Sequence, residues 1–404
     1  MAGSPPLVLA CFRPHLVASG RPVGAAEGGG KRVAMSAAAK VAVVGCGISG
    51  AVCASMLARR GFSVTMFESG RGPGGRMSQR RELTENGELF FDHGAPFFTI
   101  SNEEVIDVVD SWEGMGLVAQ WKENLGCFDL NTAKFVDVEK DGQSQKYVGV
   151  PGMNSICKAL CHEPGVETKF ETTVGKIDWL EGRNLWLLSG LGGEHLGHFD
   201  SVVASDKNVF SSRYAGVTGR PPPLDITLIR ELAARLQDVP VQSCFALMLA
   251  FSEPLSLIPV KGFSFKNSNV LSWAFCDSSK PGRFNASSIS ECWVLHSTAE
   301  YAAGVISKIG LKKPTTSTLV EVAEELFREF ERTGLATSRP FFMKAHRWGS
   351  AFPATCVGGE AMCLWDQDKR LAVCGDFCAS PSVEGAVISG MRAASRIVGL
   401  LSCS

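Results

Sequence analysis

Long apolar runs, an excess of one charge and closely paired cysteines are all missing from this 404-residue sequence. No apolar run approaches the roughly 18 residues that a membrane-spanning helix needs. The formal net charge is -1, so the composition does not favour binding to nucleic acid or to an anionic membrane surface. Because 45% of the residues are hydrophobic, the chain can bury a substantial core. These features predict a soluble globular protein without a transmembrane segment.

The 14 cysteines are scattered along the chain, and no two of them form a Cys-x-x-Cys pair. Cysteines in apolar surroundings, such as Cys46, Cys53, Cys374 and Cys378, are more often small buried hydrophobic residues than bridges or ligands. We therefore expect reduced thiols and an intracellular compartment. No His, Cys and Asp cluster has the spacing of metal ligands, so we predict no metal site.

Acidic residues are almost absent from the first 39 positions, which contain only Glu27 among many Ala, Gly, Ser, Pro and basic residues. This composition is typical of an organelle transit peptide, with the chloroplast favoured over the mitochondrion. Two other interpretations remain: a disordered tail, and translation from Met35 to give a cytoplasmic protein.

A β-α-β unit is predicted from Val41 to Phe67, with strands at 41–44 and 64–67 and a helix from about 48 to 60. It contains Gly45-x-Gly47-x-x-Gly50, in which the glycines permit a tight turn, close approach of a pyrophosphate and close helix packing. Glu68 ends the second strand, where a carboxylate binds ribose hydroxyls and repels the 2′-phosphate of NADP. We expect dinucleotide contacts from Gly45, Gly47, Ile48, Ser49, Gly50, Glu68 and Ser69.

Two further segments favour FAD over NAD. The loop "RGPGGRMS" at 71–78 can wrap a pyrophosphate through Gly74, Gly75 and Arg76, whereas NAD dehydrogenases continue directly into their next helix. Near the carboxyl end, Asp376 follows an apolar strand and is suited to a polyol hydroxyl. The helix that begins there is expected to direct N–H groups at the flavin, and its first residues are Val383, Glu384, Gly385 and Ala386.

Together these segments resemble the FAD-dependent amine oxidase superfamily. Its renalase-like branch is indicated by "FFDHGAPFF" (90–98), "PGMNSICKAL" (151–160), "CFALMLAF" (244–251), "DSSKPGR" (277–283), "WVLHSTAEYA" (293–302) and "HRWGSAFP" (346–353). The resemblance implies flavin contacts at His93, Gly94 and Ala95, and an adenine contact at Val174. The chain departs from the branch after Gly-Ala, where Pro96 and Phe97 replace the usual Gln and Tyr, so the identity of the substrate is left open.

The same resemblance implies an α/β fold, α+β overall, in which a glutathione-reductase-type FAD-binding Rossmann domain is joined to a mostly antiparallel substrate domain. We assign residues 40–100, 145–210 and 340–404 to the first and residues 101–144 and 211–339 to the second. Within these, Ser101 with Glu104 resembles a helix capping box, and 243–251, 270–275 and 292–296 are predicted strands.

No convincing set of catalytic side chains emerges from the central part of the chain. Lys280 is a candidate for the flavin-proximal lysine of amine oxidases, but "SKPGR" also indicates an exposed turn. His296 is a second candidate, although His296 and His346 lie in contexts typical of packed histidines. Three aromatic residues are candidates for the pocket wall: Phe97, Trp273 and Trp348.

Renalase-like enzymes oxidise isomeric dihydronicotinamides, a reaction that needs little acid–base help because the product is an aromatic cation. The resemblance therefore implies a hydride donor of this small-molecule class, with O2 as electron acceptor. Three alternatives stay open: oxidation of primary amines or polyamines, desaturation or isomerisation of a lipophilic substrate, and flavin binding without turnover. The oligomeric state does not follow from the sequence.

Overall fold

The computed structural model describes residues 38–138, 145–237, 239–283 and 290–401. All but two of the residues that carry the transit-peptide prediction lie outside this description, and so does Met35. The helices are α1 (Ile48–Ala58), α2 (Glu103–Gly114), α3 (Asn154–Cys161), α4 (Ser212–Thr218), α5 (Arg230–Leu236), α6 (Ala299–Ile309), α7 (Thr316–Arg332) and α8 (Val383–Leu401).

The strands of the described residues form two large sheets and three small ones. In chain order they are β1 (Lys40–Val44), β2 (Ser63–Phe67), β3 (Gln79–Thr84), β4 (Gly87–Asp92), β5 (Val118–Gln120), β6 (Leu125–Asp129), β7 (Lys134–Val136), β8 (Tyr147–Gly149), β9 (Val166–Lys169), β10 (Val174–Leu180), β11 (Leu185–Gly190), β12 (His195–Phe199), β13 (Ser201–Ala204), β14 (Val241–Phe251), β15 (Gly262–Lys266), β16 (Leu271–Cys276), β17 (Glu291–Ser297), β18 (Phe342–Pro353), β19 (Leu364–Asp366) and β20 (Leu371–Val373).

A six-stranded sheet in the order β19-β20-β13-β1-β2-β9 confirms the predicted Rossmann-like unit. Its strands are parallel except for β19, which pairs antiparallel with β20. The central strands are apolar on both faces because both are covered. Helices α1, α3 and α8 pack on one face, whereas the β10–β12 sheet and α5 pack on the other. Helix α1 packs so closely on α8 that a Cβ on Gly390 would lie 2.3 Å from the carbonyl oxygen of Ser49.

The second large sheet has seven strands, in the order β18-β14-β17-β16-β15-β6-β7. All its neighbours are antiparallel except β15 and β6, as expected for a mostly antiparallel sheet. One face buries Leu247, Trp293 and Leu295 against apolar residues of α7, including Leu326 and Phe327. Since side chains alternate across a strand, the opposite face carries a different set, which includes Ala246, Met248 and Val294. We call this the inner face of the sheet.

Two segments contact elements that were assigned to the other predicted domain. Residues Phe342–Pro353 pair with β14 in the seven-stranded sheet rather than with the cofactor-side strands. Helix α2 contributes Val105 and Trp112 to the same core cluster as α1 and α8. The overall division into two domains stays a prediction.

The amino-terminal cap of α2 also differs from the prediction. Asn102, not Ser101, caps the helix, because its Oδ1 accepts a hydrogen bond of 3.0 Å from the backbone N–H of Glu104. The carboxylate of Glu104 binds Arg392 instead of closing a capping box. Within the described residues, no helix is both long and apolar enough to cross a membrane.

Candidate active site

The glycine-rich turn between β1 and α1 leaves space beside the uncapped start of the helix. Gly45 has φ +106°, which favours glycine, and a Cβ on Gly50 would lie 2.3 Å from the Gly45 carbonyl oxygen. A Cβ on Gly47 would meet no atom within 4 Å, so space is left beside the helix. Helix α1 has no side-chain cap and no acidic residue in its first turn. Its free N–H groups therefore fit a phosphate anion.

The adenosine-end residues named from the sequence lie near this turn. The carboxylate of Glu68 accepts hydrogen bonds from the backbone N–H groups of Cys46 (3.0 Å) and Gly70 (2.7 Å), which fixes its position. Thr172 donates its backbone N–H to the Glu68 carbonyl oxygen at 2.9 Å. This contact brings the start of β10, where Val174 lies, beside Glu68 and Ser69.

The loop with Gly74 and Gly75 joins the two ends of the chain. Gly74 donates its N–H to the carbonyl oxygen of Cys46 at 2.9 Å, so this loop lies on the glycine-rich turn. The guanidinium of Arg76 binds both carboxylate oxygens of Asp376, at 2.6 and 2.7 Å. Burial alone would lower the pKa of Arg76, but the hydrogen bonds and charge of Asp376 raise it. Arg76 and Asp376, predicted separately as cofactor residues, thus form one partly buried ion pair, in which the carboxylate is buried and the guanidinium side chain is 35% exposed.

The first turn of α8 is engaged in ways that the sequence did not indicate. The N–H of Gly385 donates to the Ser382 hydroxyl at 2.9 Å, and the side chain of Glu384 accepts from the backbone N–H groups of Ser101 (2.6 Å) and Asn102 (2.7 Å). Glu384 therefore orders the start of α2. Flavin contact through the backbone of Val383–Ala386 stays a prediction.

The segment His93-Gly94-Ala95 docks on the backbone of Arg76. Ala95 donates its N–H to the Arg76 carbonyl oxygen at 2.8 Å, and a Cβ on Gly94 would lie 2.0 Å from that oxygen. Only glycine permits this approach, so the predicted flavin contacts at 93–95 lie beside Arg76, the predicted pyrophosphate contact.

A histidine and tryptophan cluster covers the inner face of the seven-stranded sheet. The carbonyl oxygen of His93 accepts hydrogen bonds from Nε1 of Trp348 (2.9 Å) and Nε2 of His296 (3.1 Å). The His93 ring lies 4.8 Å from the ring of His346 and 4.9 Å from that of Trp348. His296 and Trp348, named separately from the sequence, are thus brought together around one peptide group.

Aromatic rings extend this cluster toward the surface. The ring centre of Phe275 lies 5.7 Å from that of Phe97 and 6.0 Å from that of His296. It also stacks on the Trp273 ring, with 5.5 Å between the ring centres. Trp273 is 37% exposed and stands at the outer end of the row. Phe275 was not among the pocket residues predicted from the sequence, although its position two residues after Trp273 on a strand was a usable signal.

The three histidines of the cluster are neutral at physiological pH. Burial lowers the pKa of His93 to about 3, with further lowering from His346 and Arg80. Burial likewise lowers the pKa values of His296 and His346 to about 4. The cluster therefore offers hydrogen bonds and ring surfaces, but no charged imidazolium near pH 7.

Lys280 is fully buried, so its interpretation as part of an exposed turn is wrong. Its ammonium group binds Asp277 and Asp92, and both carboxylates also pair with Arg283. We call Asp92, Asp277, Lys280 and Arg283 the buried ion-pair quartet. Because Asp92 directly precedes His93, the quartet anchors the predicted flavin-contact segment His93–Ala95 rather than presenting a free amine.

Comparison with known proteins agrees with this geometry. The family model for flavin-containing amine oxidoreductases matches residues 130–398, and a model for an NAD(P)-binding Rossmann-like domain matches residues 43–112. The first match covers more than half of the chain.

Several solved structures share the fold at low sequence identity. One is named as a protoporphyrinogen oxidase from Exiguobacterium sp. 255-15, with TM-score 0.61 and 13% identity over 92% of this chain and 100% of that one. Putrescine oxidase bound to putrescine has a TM-score of 0.59 and 12% sequence identity, and the match covers 89% of this chain and 99% of that one. An oxidoreductase from Methanosarcina mazei has a TM-score of 0.58 and 12% identity, and the match covers 87% of this chain and 99% of that one. These matches establish the fold.

Proposed function

The chain belongs to the family of flavin-containing amine oxidoreductases, and within that family we propose that it oxidises an isomeric dihydronicotinamide, with O2 as acceptor. The protein is an FAD-dependent oxidoreductase. Bound FAD supplies a two-electron acceptor at N5. What we propose is the identity of the electron donor. It is an isomer of NAD(P)H that carries the transferable hydride at C2 or C6 of the nicotinamide ring instead of C4.

Electrostatics carry this proposal. After burial, the groups that lower the pKa of His346 are the cations Arg80, Lys313 and Arg347, and Arg80 also lowers that of His93. Arg80 and Lys344 both pair with the single carboxylate of Glu82, so these three side chains carry a net positive charge. Positive charge around the histidine cluster attracts the phosphates of a dinucleotide and repels a protonated amine.

The neutral cluster also suits this donor. A dihydronicotinamide loses a hydride to give an aromatic cation, so no side chain has to remove a proton. The task of the protein is then to hold the planar ring in one orientation and exclude water, which raises the effective concentration of the reacting atoms. Phe97, Phe275 and Trp348 supply flat surfaces, while the hydrogen bonds to the His93 carbonyl oxygen fix the wall.

The experiment compares donors with and without phosphates on the purified holoenzyme. We expect peroxide formation with isomeric NADH and NADPH, little with ordinary NADH, and none with putrescine or benzylamine. The phosphate-free dihydronicotinamide riboside isomer should react with a higher KM, and only the dinucleotide KM should rise with salt. An Arg347→Gln variant should raise KM for the dinucleotide and leave the riboside unchanged.

Two outcomes would replace this proposal. Turnover of putrescine, the ligand of one fold relative, would favour an amine oxidase. Turnover of protoporphyrinogen or another lipophilic compound, with no reaction of any dihydronicotinamide, would favour an oxidase or desaturase of that class.

A further inference from the structure

Lys207 lies at the edge of the six-stranded sheet where the cofactor residues meet. It follows β13, whose last residue, Ala204, is in register with Val44 of β1 and Val373 of β20. The glycine-rich turn continues from β1, and Asp376 follows β20. Ligands of open α/β sheets bind at this carboxyl edge.

The backbone before Lys207 touches the glycine-rich turn. A Cβ on Gly45 would lie 3.2 Å from the Cβ of Asp206 and 3.3 Å from its backbone nitrogen. On the other side, the ammonium group of Lys207 lies 5.8 Å from the ring centre of Phe377, the residue after Asp376. The lysine side chain therefore stands between the two segments that are expected to hold the diphosphate and the ribityl chain.

This ammonium group lacks a hydrogen-bond or ion-pair partner within the described part of the chain, and it lies over the Phe377 ring. Lys207 is 8% exposed, and its Nζ has no hydrogen-bond acceptor there. A buried charge is costly unless it is paired. The comparison with Lys280 is direct, because that buried ammonium binds two carboxylates. Asp376 is not available in the same way, since both its oxygens bind Arg76.

The charged groups facing Lys207 come from several segments. Burial is the main cause that lowers the pKa of Lys207 to about 8, and the cations Arg76 and Arg213 lower it further, while Asp376 and Asp206 act in the opposite direction. A nearby anion would therefore raise the pKa and keep the amine charged.

We propose that Lys207 is a cofactor-binding residue whose ammonium group pairs with the diphosphate of FAD. The Arg76–Asp376 pair is neutral as a unit, and the start of α1 contributes only about half a positive charge. Lys207 adds a full charge to balance the dianion. Its four-carbon stem is flexible, so the ammonium group can turn toward the phosphate when it enters. The inference rests on FAD as cofactor and is independent of the donor.

Affinity of the apoprotein for diphosphate ligands tests the assignment. At pH 7.5 we expect Lys207→Met to weaken binding of FAD and of ADP by roughly 10- to 100-fold, the range of a charge-assisted hydrogen bond. Riboflavin, which has no phosphate, should be unaffected. Lys207→Arg should retain the affinity, and the exposed Lys312→Met variant serves as the matched control.

The pH profile and apoprotein stability give readouts independent of activity. Wild-type affinity for ADP should fall as pH rises above about 8, where the free amine loses its proton, whereas Lys207→Arg should bind equally well at pH 9.5. Removing an unpaired buried charge should also leave the apoprotein as stable or more stable to heat, while a purely structural lysine would destabilise it on removal.

Three results would overturn the inference. The first is ADP affinity within twofold of wild type in Lys207→Met. The second is an equal loss in Lys312→Met or Arg213→Gln, which would indicate a general field instead of a specific pair. The third is a change in the flavin reduction potential with ADP affinity unchanged, which would place the ammonium group at the isoalloxazine ring. If Lys207→Met does not fold, the arginine variant at high pH decides alone.

Discussion

Replacing Asp92 by Asn should destabilise the protein far more than loss of a surface charge. The quartet contains two carboxylates and two cations, and its side chains are at most 5% exposed. Asp92→Asn leaves Asp277 alone against Lys280 and Arg283, a net buried charge of about +1. Breaking one partner of a buried pair costs about 3–5 kcal/mol. We therefore expect a loss of that size in the free energy of unfolding, measured by urea denaturation of the holoenzyme.

The double variant Asp92→Asn/Lys280→Met sharpens this test. It restores neutrality by leaving Asp277 with Arg283, so its cost should be smaller than the sum of the two single costs by about 2 kcal/mol or more. Glu104→Gln, which breaks the exposed pair with Arg392, should cost no more than about 1 kcal/mol. The reasoning would be refuted if the loss in the double variant equalled the sum of the losses in Asp92→Asn and Lys280→Met. A loss under about 1 kcal/mol for Asp92→Asn alone would refute it as well.

Two further predictions concern the flavin-contact segment. Gly94→Ala places a methyl group 2.0 Å from the Arg76 carbonyl oxygen, so we expect about 1–3 kcal/mol of destabilisation and weaker FAD retention on gel filtration. Gly182→Ala, in the turn between β10 and β11, meets no atom within 4 Å and should behave as wild type. Because the pKa values of His93 and His296 are lowered to about 3 and 4, these rings stay neutral when folded but gain protons when unfolded below pH 6.5. Stability should therefore fall as pH decreases from about 6.5 toward 4, while the anaerobic rate of flavin reduction stays level between pH 8 and 5; a break in that rate near pH 6.5 would contradict the assigned neutrality.

The cofactor side of the fold was predictable because its signals are local. The turn at Gly45 to Gly50 and the acid at 68 lie within one β-α-β unit, where strand and helix periods are readable from adjacent residues. The strand near Trp273 was likewise found from its own composition. Its alternation also indicated that Phe275 lies on the same face, but that signal was not used.

What the sequence did not indicate are contacts between distant segments. The carboxylate of Glu384 binds the start of α2, 282 and 283 residues away, and displaces the local capping box expected at Ser101. Lys280 is next to Pro and Gly, which favour an exposed turn, yet the carboxylates of Asp92 and Asp277 permit its burial. Tertiary partners of this kind override a local pattern, and only the fold reveals them.

Anaerobic titration of the holoenzyme with isomeric NADH tests the central claim most directly. The account predicts that one equivalent of the donor bleaches the oxidised flavin absorbance and releases NAD+, and that admitting air restores the band with formation of peroxide. An FAD-saturated protein whose absorbance is unchanged by isomeric NADH and NADPH, but is bleached by an amine, would contradict the proposed function.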